Sequence, residues 1–230
     1  MLGVTMAHSL SLSSSARLAF IGLSYVYIVK LIDTLWHGIF ANPGVAFVVV
    51  SLNVLAGIAQ FLFFYKLRYS TLNSGIFAHI AGWMGMIGAL LNILPKVLAL
   101  SALLQFYFSF RLIKNSQLIA VLSPWLGAVM LFCCCLIFFL LTVKVWSKKN
   151  RFFLLGTVGY MIITVIFSML ALNSFSGVQV DWQEGEIGMN IKYFIISASF
   201  SFLCVAYFYS GFFNDNETIS NNLSHLPIDS

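Results

Sequence analysis

The sequence predicts an all-α fold, a polytopic transmembrane helical bundle of about seven spans, on three observations. Of 230 residues, 60% are hydrophobic and only 8% are charged, against about 25% charged in a soluble domain. A chain so poor in charge cannot cover a water-facing surface. Its apolar residues also come in runs long enough to cross a hydrocarbon core, which takes about 20 residues. Finally, no polar stretch between the runs is long enough for a soluble domain, so residues 1–213 read as a single integral membrane domain.

The runs fall near 18–40, 45–65, 119–143, 152–172 and 193–213. The segment 76–113 is too long for one crossing, and Asn92, Pro95 and Lys96 interrupt it. Proline removes a backbone donor and clashes with the preceding turn. A tight hairpin at "NILPK" is therefore expected, with spans near 76–93 and 97–113, for a total of seven. The alternative is six, with 97–113 re-entrant or interfacial. Before the first span, "MLGVTMAHSLSLSSSAR" lacks the early positive cluster and separate apolar core of a secretory signal. Residues 214–230 form a polar tail, expected to be disordered for want of apolar surface. It carries the glycosylation patterns "NET" at Asn216 and "NLS" at Asn222.

The formal net charge of +5 does not point to nucleic acid, because the basic residues flank apolar runs, where topology control explains them. The densest cluster is Lys144, Lys148, Lys149 and Arg151. Placing it in the cytoplasm puts the C-terminus there for six or seven spans, and the N-terminus outside for seven or inside for six. A cell (inner) membrane is the expected location. The tail patterns are then chance matches. The acidic loop carrying Asp181, Trp182, Glu184 and Glu186 falls outside in both cases. The four cysteines, Cys133, Cys134, Cys135 and Cys204, lie in apolar runs without a Cys-x-x-Cys pair, so neither a disulfide framework nor a zinc site is indicated.

Polar residues inside the spans are few, and they align. Tyr27, Lys30, Asp33, Thr34 and His37 share one face of the first span by three- and four-residue spacing. A lone charge near mid-bilayer costs about 2.5–3.5 kcal/mol, and such residues usually face a bundle interior or a wet cavity. Lys30 and Asp33 are spaced to pair, and both are expected to face protein. Asn53, Ala56, Gly57 and Gln60 form a matching stripe on the second span. A loop of about four residues, "ANPG", makes the two spans antiparallel neighbours, with Asp33 at the depth of Asn53 or Gln60. On the third span Ala78, Ala81, Gly82, Gly85, Gly88 and Ala89 form a close-packing ridge, with His79 and Trp83 off its centre. Haem ligation would need two facing imidazoles, here His37 and His79. No cofactor or metal is expected.

No phosphate loop, His-Glu-x-x-His, Gly-x-Ser-x-Gly or dinucleotide fingerprint is present. Asp33 is the only carboxylate inside a predicted span, which leaves an aspartate-pair hydrolase nothing to pair. The stretch Ala59 to Trp83 resembles the repeat of PQ-loop sugar and amino-acid transporters. Gln60, Lys66, Ser70, Ser74, Phe77 and Trp83 fall near its pattern, with Ala59-Gln60 where the defining Pro-Gln would stand. A weaker second copy spans Phe138 to Tyr160. That resemblance implies seven helices in two repeats, and transport. The leading expectation is a protein that moves or senses a small solute or ion, its path lined by Lys30, Asp33, His37, Asn53, Gln60 and His79. Breaking the Lys30–Asp33 pair would accompany proton or ion binding. The alternatives are a non-catalytic subunit or scaffold binding partner helices, or copies of itself, and a membrane enzyme acting on lipid.

Overall fold

The computed structural model describes residues 11–35, 43–71, 75–108, 116–143, 148–176 and 191–213. Within them are six α-helices: α1 (Leu12–Leu35), α2 (Pro43–Ser70), α3 (Ile76–Phe108), α4 (Ser116–Val143), α5 (Lys148–Ser176) and α6 (Ile191–Ser210). Five contain segments long and apolar enough to cross a membrane: Leu12–Ile32, Gly44–Ser70, Ile76–Leu104, Leu122–Val143 and Lys149–Ala171. The apolar stretch of α6, Ile195–Ser210, is shorter. By length and composition this is a helical membrane protein. His37, the acidic loop and the polar tail lie outside the described residues.

The hairpin expected at "NILPK" is not there. Helix α3 runs unbroken through Asn92, Pro95 and Lys96 to Phe108, so no separate span begins at 97, and the described residues hold six helices, which does not confirm the seven spans expected. Energetics explain the outcome. A proline inside a helix costs about 3 kcal/mol. A turn there would strip several backbone groups of partners, at several kcal/mol each where no water reaches. At 33 residues, α3 is about 50 Å long. It must tilt or project beyond a hydrocarbon core of about 30 Å.

Local chemistry sets the helix ends. Ser11 caps α1: its Oγ accepts the Ser14 N–H at 3.1 Å, as N-cap serines do. Pro43 opens α2, where its missing N–H is harmless. Ser70 and Thr71 hydroxyls donate back to the Leu67 carbonyl at 2.7 and 3.0 Å and so satisfy the end of α2. Gly75 then turns the chain into α3 with φ of 95°, a conformation that glycine alone adopts readily.

Each helix packs against the next in sequence, and α6 packs back on α1, so the six close into a ring. The start of α1 and the end of α6 are tied directly: Ser13 Oγ and Arg17 Nη2 both donate to the Phe213 carbonyl. Small residues fix the register. A Cβ on Gly22 would lie 2.9 Å from the Cα of Ala56, and one on Gly88 would lie 2.9 Å from the Gly127 carbonyl oxygen. Gly82 lies against Arg68, and Gly85 against both Phe64 and Cys134. The small side chains of α3, Ala78, Ala81 and Ala89, are fully buried, as is the backbone at Gly82, Gly85 and Gly88. The outward surface is apolar: Ile21 and Leu203 are each 62% exposed, and Leu55, Ile87, Leu90, Leu140 and Val165 share that surface.

Polar groups within the helices are largely satisfied locally. Hydroxyls of Ser24, Thr142, Thr157, Thr164 and Ser199 donate to carbonyls four residues back, at 2.7–2.9 Å, a common arrangement for such residues in helices.

Close approach at Gly88 makes the α3–α4 contact sensitive to added volume. Gly88→Val should cost about 1–3 kcal/mol through overpacking. The check is the thermal unfolding midpoint in detergent, which should fall by several degrees. An unchanged midpoint would contradict so tight a contact.

Candidate functional site

The interior of the ring has two unlike halves. The half holding the start of α1 and the end of α6 is filled. Phe63, Phe64, Phe138, Phe208, Tyr209 and Phe212 are at most 1% exposed. Most of their rings meet edge-on or tilted, Phe63 lying within 4.9–5.7 Å of Phe208, Tyr209 and Phe212 and Phe153 within 5.8 Å of Phe208, while Phe64 stacks on Phe208. Such contacts add about 0.5–1.5 kcal/mol each beyond burial. In this aromatic floor the hydroxyls of Tyr160 and Tyr209 bond at 3.0 Å, so each buried phenol has its partner. The other half is not filled. Beyond the level of Ala56, Ala89, Ala128 and Tyr160, Ala171 is the only buried hydrophobic among the described residues.

Helix geometry brings three polar side chains into that unfilled half. Phe64 on α2 and Gly85 on α3 face the core at one level, and Ala19 on α1 faces it about 7.5 Å further from the floor. Lys30, Asn53 and Lys96 each stand eleven residues from one of them along the same helix, away from the floor. Eleven residues make about three turns, so each keeps the inward direction of its counterpart, about 16 Å further along. Asn53 and Lys96 therefore stand level, whereas the Gly22–Ala56 contact sets Lys30 about 7.5 Å further from the floor. Lys96 Nζ lies 3.6 Å from where a Gly57 Cβ would stand, so the bare glycine leaves room for the ammonium beside α2. Lys30 and Lys96 are near enough for their charges to interact. Lys30 keeps an exposed side chain, and Lys96 and Asn53 are half-buried.

Neighbouring groups extend the set. Asn53 Oδ1 is buried and accepts no hydrogen bond. Asn92, one turn before Lys96, lays its Oδ1 against Gly127 of α4. Ser123, four residues before Gly127, has a buried Oγ without a partner. The Trp125 indole donates to Ser168 of α5 at 2.8 Å, and Tyr27 bonds Ser199 of α6 at 2.6 Å while stacking on Phe202 at 4.2 Å. An orphaned acceptor costs about 1–3 kcal/mol. Asn53 Oδ1 and Ser123 Oγ are two such atoms in the less filled half, and Arg68 Nε is an unpartnered donor toward the floor end.

The path drawn from sequence is only partly assembled. Lys30 and Asn53 share the less filled half, with Lys30 about 7.5 Å further along the bundle. Gln60 is 8% exposed, two turns nearer the floor. Asp33 lies in α1, its side chain outside the described residues, and not at the depth expected. The Gly22–Ala56 contact puts Asp33 about 12 Å beyond Asn53 along the bundle, further still from Gln60. The reason is that α1 ends at Leu35 and α2 begins at Pro43, which shifts the register by about two turns from that of a four-residue loop. His79 does not join either. It stands about 25 Å from Lys96 along α3, where its Nε2 accepts the Trp83 indole N–H at 3.2 Å. The Arg68 guanidinium covers the same indole, 3.8 Å from its centre. This is an outward-facing anchor, Trp83 being 43% exposed, and not part of an interior path. Lys96, Asn92 and Ser123 were missed. The three-turn spacing of Lys96 from Gly85 was the available signal, obscured by assigning Lys96 to a turn.

No protein-family model, curated protein or solved structure matches this chain. The contrast between the two halves is directly measurable. In a background without native cysteines, a membrane-impermeant thiol reagent should label Asn53→Cys and Lys96→Cys in detergent at least about tenfold faster than Phe64→Cys, whose parent side chain is 0% exposed, because only accessible thiols react readily. Equal rates at the three positions would mean that the polar layer is as closed as the floor.

Proposed function

We propose that the chain binds a small solute in the chamber bounded by α1, α2 and α3, and moves or senses it across the membrane. The observation that carries this is a set of inward polar side chains, Asn53 and Lys96 at one level and Lys30 further along, in the less filled half of the bundle above a sealed aromatic floor. Ionisable groups inside membrane helices are costly, and they mark solute paths when they face a cavity. The scaffold alternative loses its main support. The ridge of Ala78, Ala81, Gly82, Gly85, Gly88 and Ala89 is consumed by α2 and α4 of the same chain and offers nothing to a partner helix.

Six helices also give the charges a consistent direction. Arg17, Lys66 and Arg68 lie toward the floor end, which the α4–α5 connection with its cluster of Lys144, Lys148, Lys149 and Arg151 shares. Fewer basic residues go with the other end: Lys192 on α6, and Arg111 and Lys114 in the sequence between α3 and α4. The positive-inside rule then sets the floor, the start of α1 and the end of α6 on the cytoplasmic side. The chamber opens away from the cytoplasm.

Two measurements test this. Reporter fusions after Phe213 and within 177–190 should report opposite compartments, the former cytoplasmic; the reverse assignment overturns the orientation. A thermal-shift screen of purified protein against small anions, cations and neutral solutes should find at least one class that stabilises saturably, because a ligand that binds only the folded state raises its stability. A flat response across the panel, with background flux in proteoliposomes, overturns the solute reading.

A further inference from the structure

We infer that the floor end of the α2–α3 face binds the phosphate of an anionic phospholipid, with Arg68 as its cation and Trp83 and His79 beside it. Ile76, Ile80, Trp83 and Ile87 recur at three- and four-residue spacing along α3 and are all exposed, so this face meets lipid. Arg68 leans onto α3 because Gly82 has no side chain: a Cβ there would lie 2.8 Å from the Arg68 Cβ. The guanidinium comes to rest over Trp83, 3.8 Å from the ring centre. At 28 residues, α2 is about 42 Å long, which matches a bilayer with its interfacial regions, about 40–45 Å. Arg68 stands two residues from the end of α2, where headgroups are within reach. Tryptophan and tyrosine favour that level, and Tyr69 is exposed there too.

This cation lacks an anion. A guanidinium cannot shed its charge, and it carries five donors. Among the described residues Nη1 reaches only the Met86 sulfur, at 4.0 Å, Nη2 donates to nothing, and Nε is buried without an acceptor. Asp33, the one acidic residue in any helix, belongs to the opposite end of the bundle. An uncompensated charge at a lipid-facing surface is costly, and a lipid phosphate is the anion that such a surface meets. Its oxygens suit the planar fork of arginine, and the Trp83 face holds that fork flat. His79 adds a donor: its Nε2 accepts the Trp83 N–H at 3.2 Å, which leaves the proton of the neutral ring on Nδ1. Charge favours an anionic lipid over a zwitterionic one. Arg17, Lys66 and the cluster from Lys144 to Arg151 share this end, and the orientation proposed above turns it toward the negative cytoplasmic leaflet.

The probe is phosphatidylglycerol, titrated onto the full chain in detergent, with phosphatidylcholine, diacylglycerol and sodium phosphate as comparators. The readouts are the melting point and the lipid retained in native mass spectrometry. Phosphatidylglycerol should stabilise the protein saturably and be retained as a discrete adduct. Arg68→Gln should weaken binding by about tenfold, the scale of one charged hydrogen bond. Arg68→Lys, which keeps the charge but not the fork, should recover part of the loss. Arg17→Gln should bind as the wild type does, because Arg17 Nη2 already donates to the Phe213 carbonyl; an equal loss there would mean diffuse attraction and overturn the site. The lipid-free melting point of Arg68→Gln verifies its fold. Should that variant not fold, Trp83→Leu decides: it removes the surface under the guanidinium, so weaker binding supports the site and unchanged binding overturns it. Equal stabilisation by phosphatidylcholine or diacylglycerol would overturn the inference, as would stabilisation by sodium phosphate alone. The acids that follow α6 are tested by Asp215→Asn with Glu217→Gln in the full chain. Unchanged lipid binding supports the site, and tighter binding would make the tail the native partner of Arg68 and overturn it.

Discussion

Helices in lipid gain little from hiding apolar surface, since the surrounding tails are as apolar as leucine. What holds them is backbone approach close enough for dense packing. Here that approach occurs where side chains are absent or short: Gly22 on Ala56, Gly85 between Phe64 and Cys134, Gly88 on Gly127, and Gly159 on Val205 and Cys204. These contacts do more than bind neighbours. Each fixes one helix axially against the next, and the depth of every other residue follows at about 1.5 Å per position. This chain of registers brings Asn53 and Lys96 level and sets Lys30 beyond them. A shift of one turn at the α1–α2 contact would move Lys30 by about 5 Å relative to Asn53.

The same contacts divide the bundle. Toward the floor the small residues face aromatic rings, and Phe64 and Phe208 occupy the space that Gly85 and Gly156 leave free. Large side chains against bare backbone make a seal with few voids. Past that level the inward positions Lys30, Asn53, Lys96, Ile163 and Phe167 include a single aromatic ring where the floor interlocks several, and burial drops. A bundle with a closed floor and a less filled upper half is asymmetric along its axis. Movement of a solute past the floor would require Phe64, Tyr209 and their neighbours to shift together, and the Tyr160–Tyr209 bond would have to break or move with them.

Polar groups within the bundle fall into two sets. Serine and threonine hydroxyls bond their own helix, or span to a neighbour as in Trp125–Ser168 and Tyr27–Ser199, and are spent on structure. Asn53 Oδ1 and Ser123 Oγ are not. In a medium where an unpaired polar group is costly, both lie in the less filled half, while Arg68 Nε lies unpartnered toward the floor end. The tyrosine pair in the floor is the counterexample: deeper, fully buried and fully satisfied, it reads as structure.

Composition and run length by themselves determined that the chain is helical and membrane-embedded, because no water-soluble fold tolerates so few charges. Residue spacing within one helix was equally legible: the faces carrying Lys30, Asn53 with Gln60, and the small-residue ridge of α3 need only the 3.6-residue period. Tertiary structure alone decided what lies opposite what. The depth match between Asp33 and Asn53 failed because it assumed where α1 stops and α2 starts, and helix ends in lipid are set by packing and capping rather than by the extent of an apolar run. Lys96 was hidden for a related reason. Asn92 and Pro95 look like a turn in isolation, yet where backbone groups find no water, one lost hydrogen bond costs less than several. His79 shared a helix with the site but not its depth or direction, and only the contacts of α3 with α2 and α4 could reveal both.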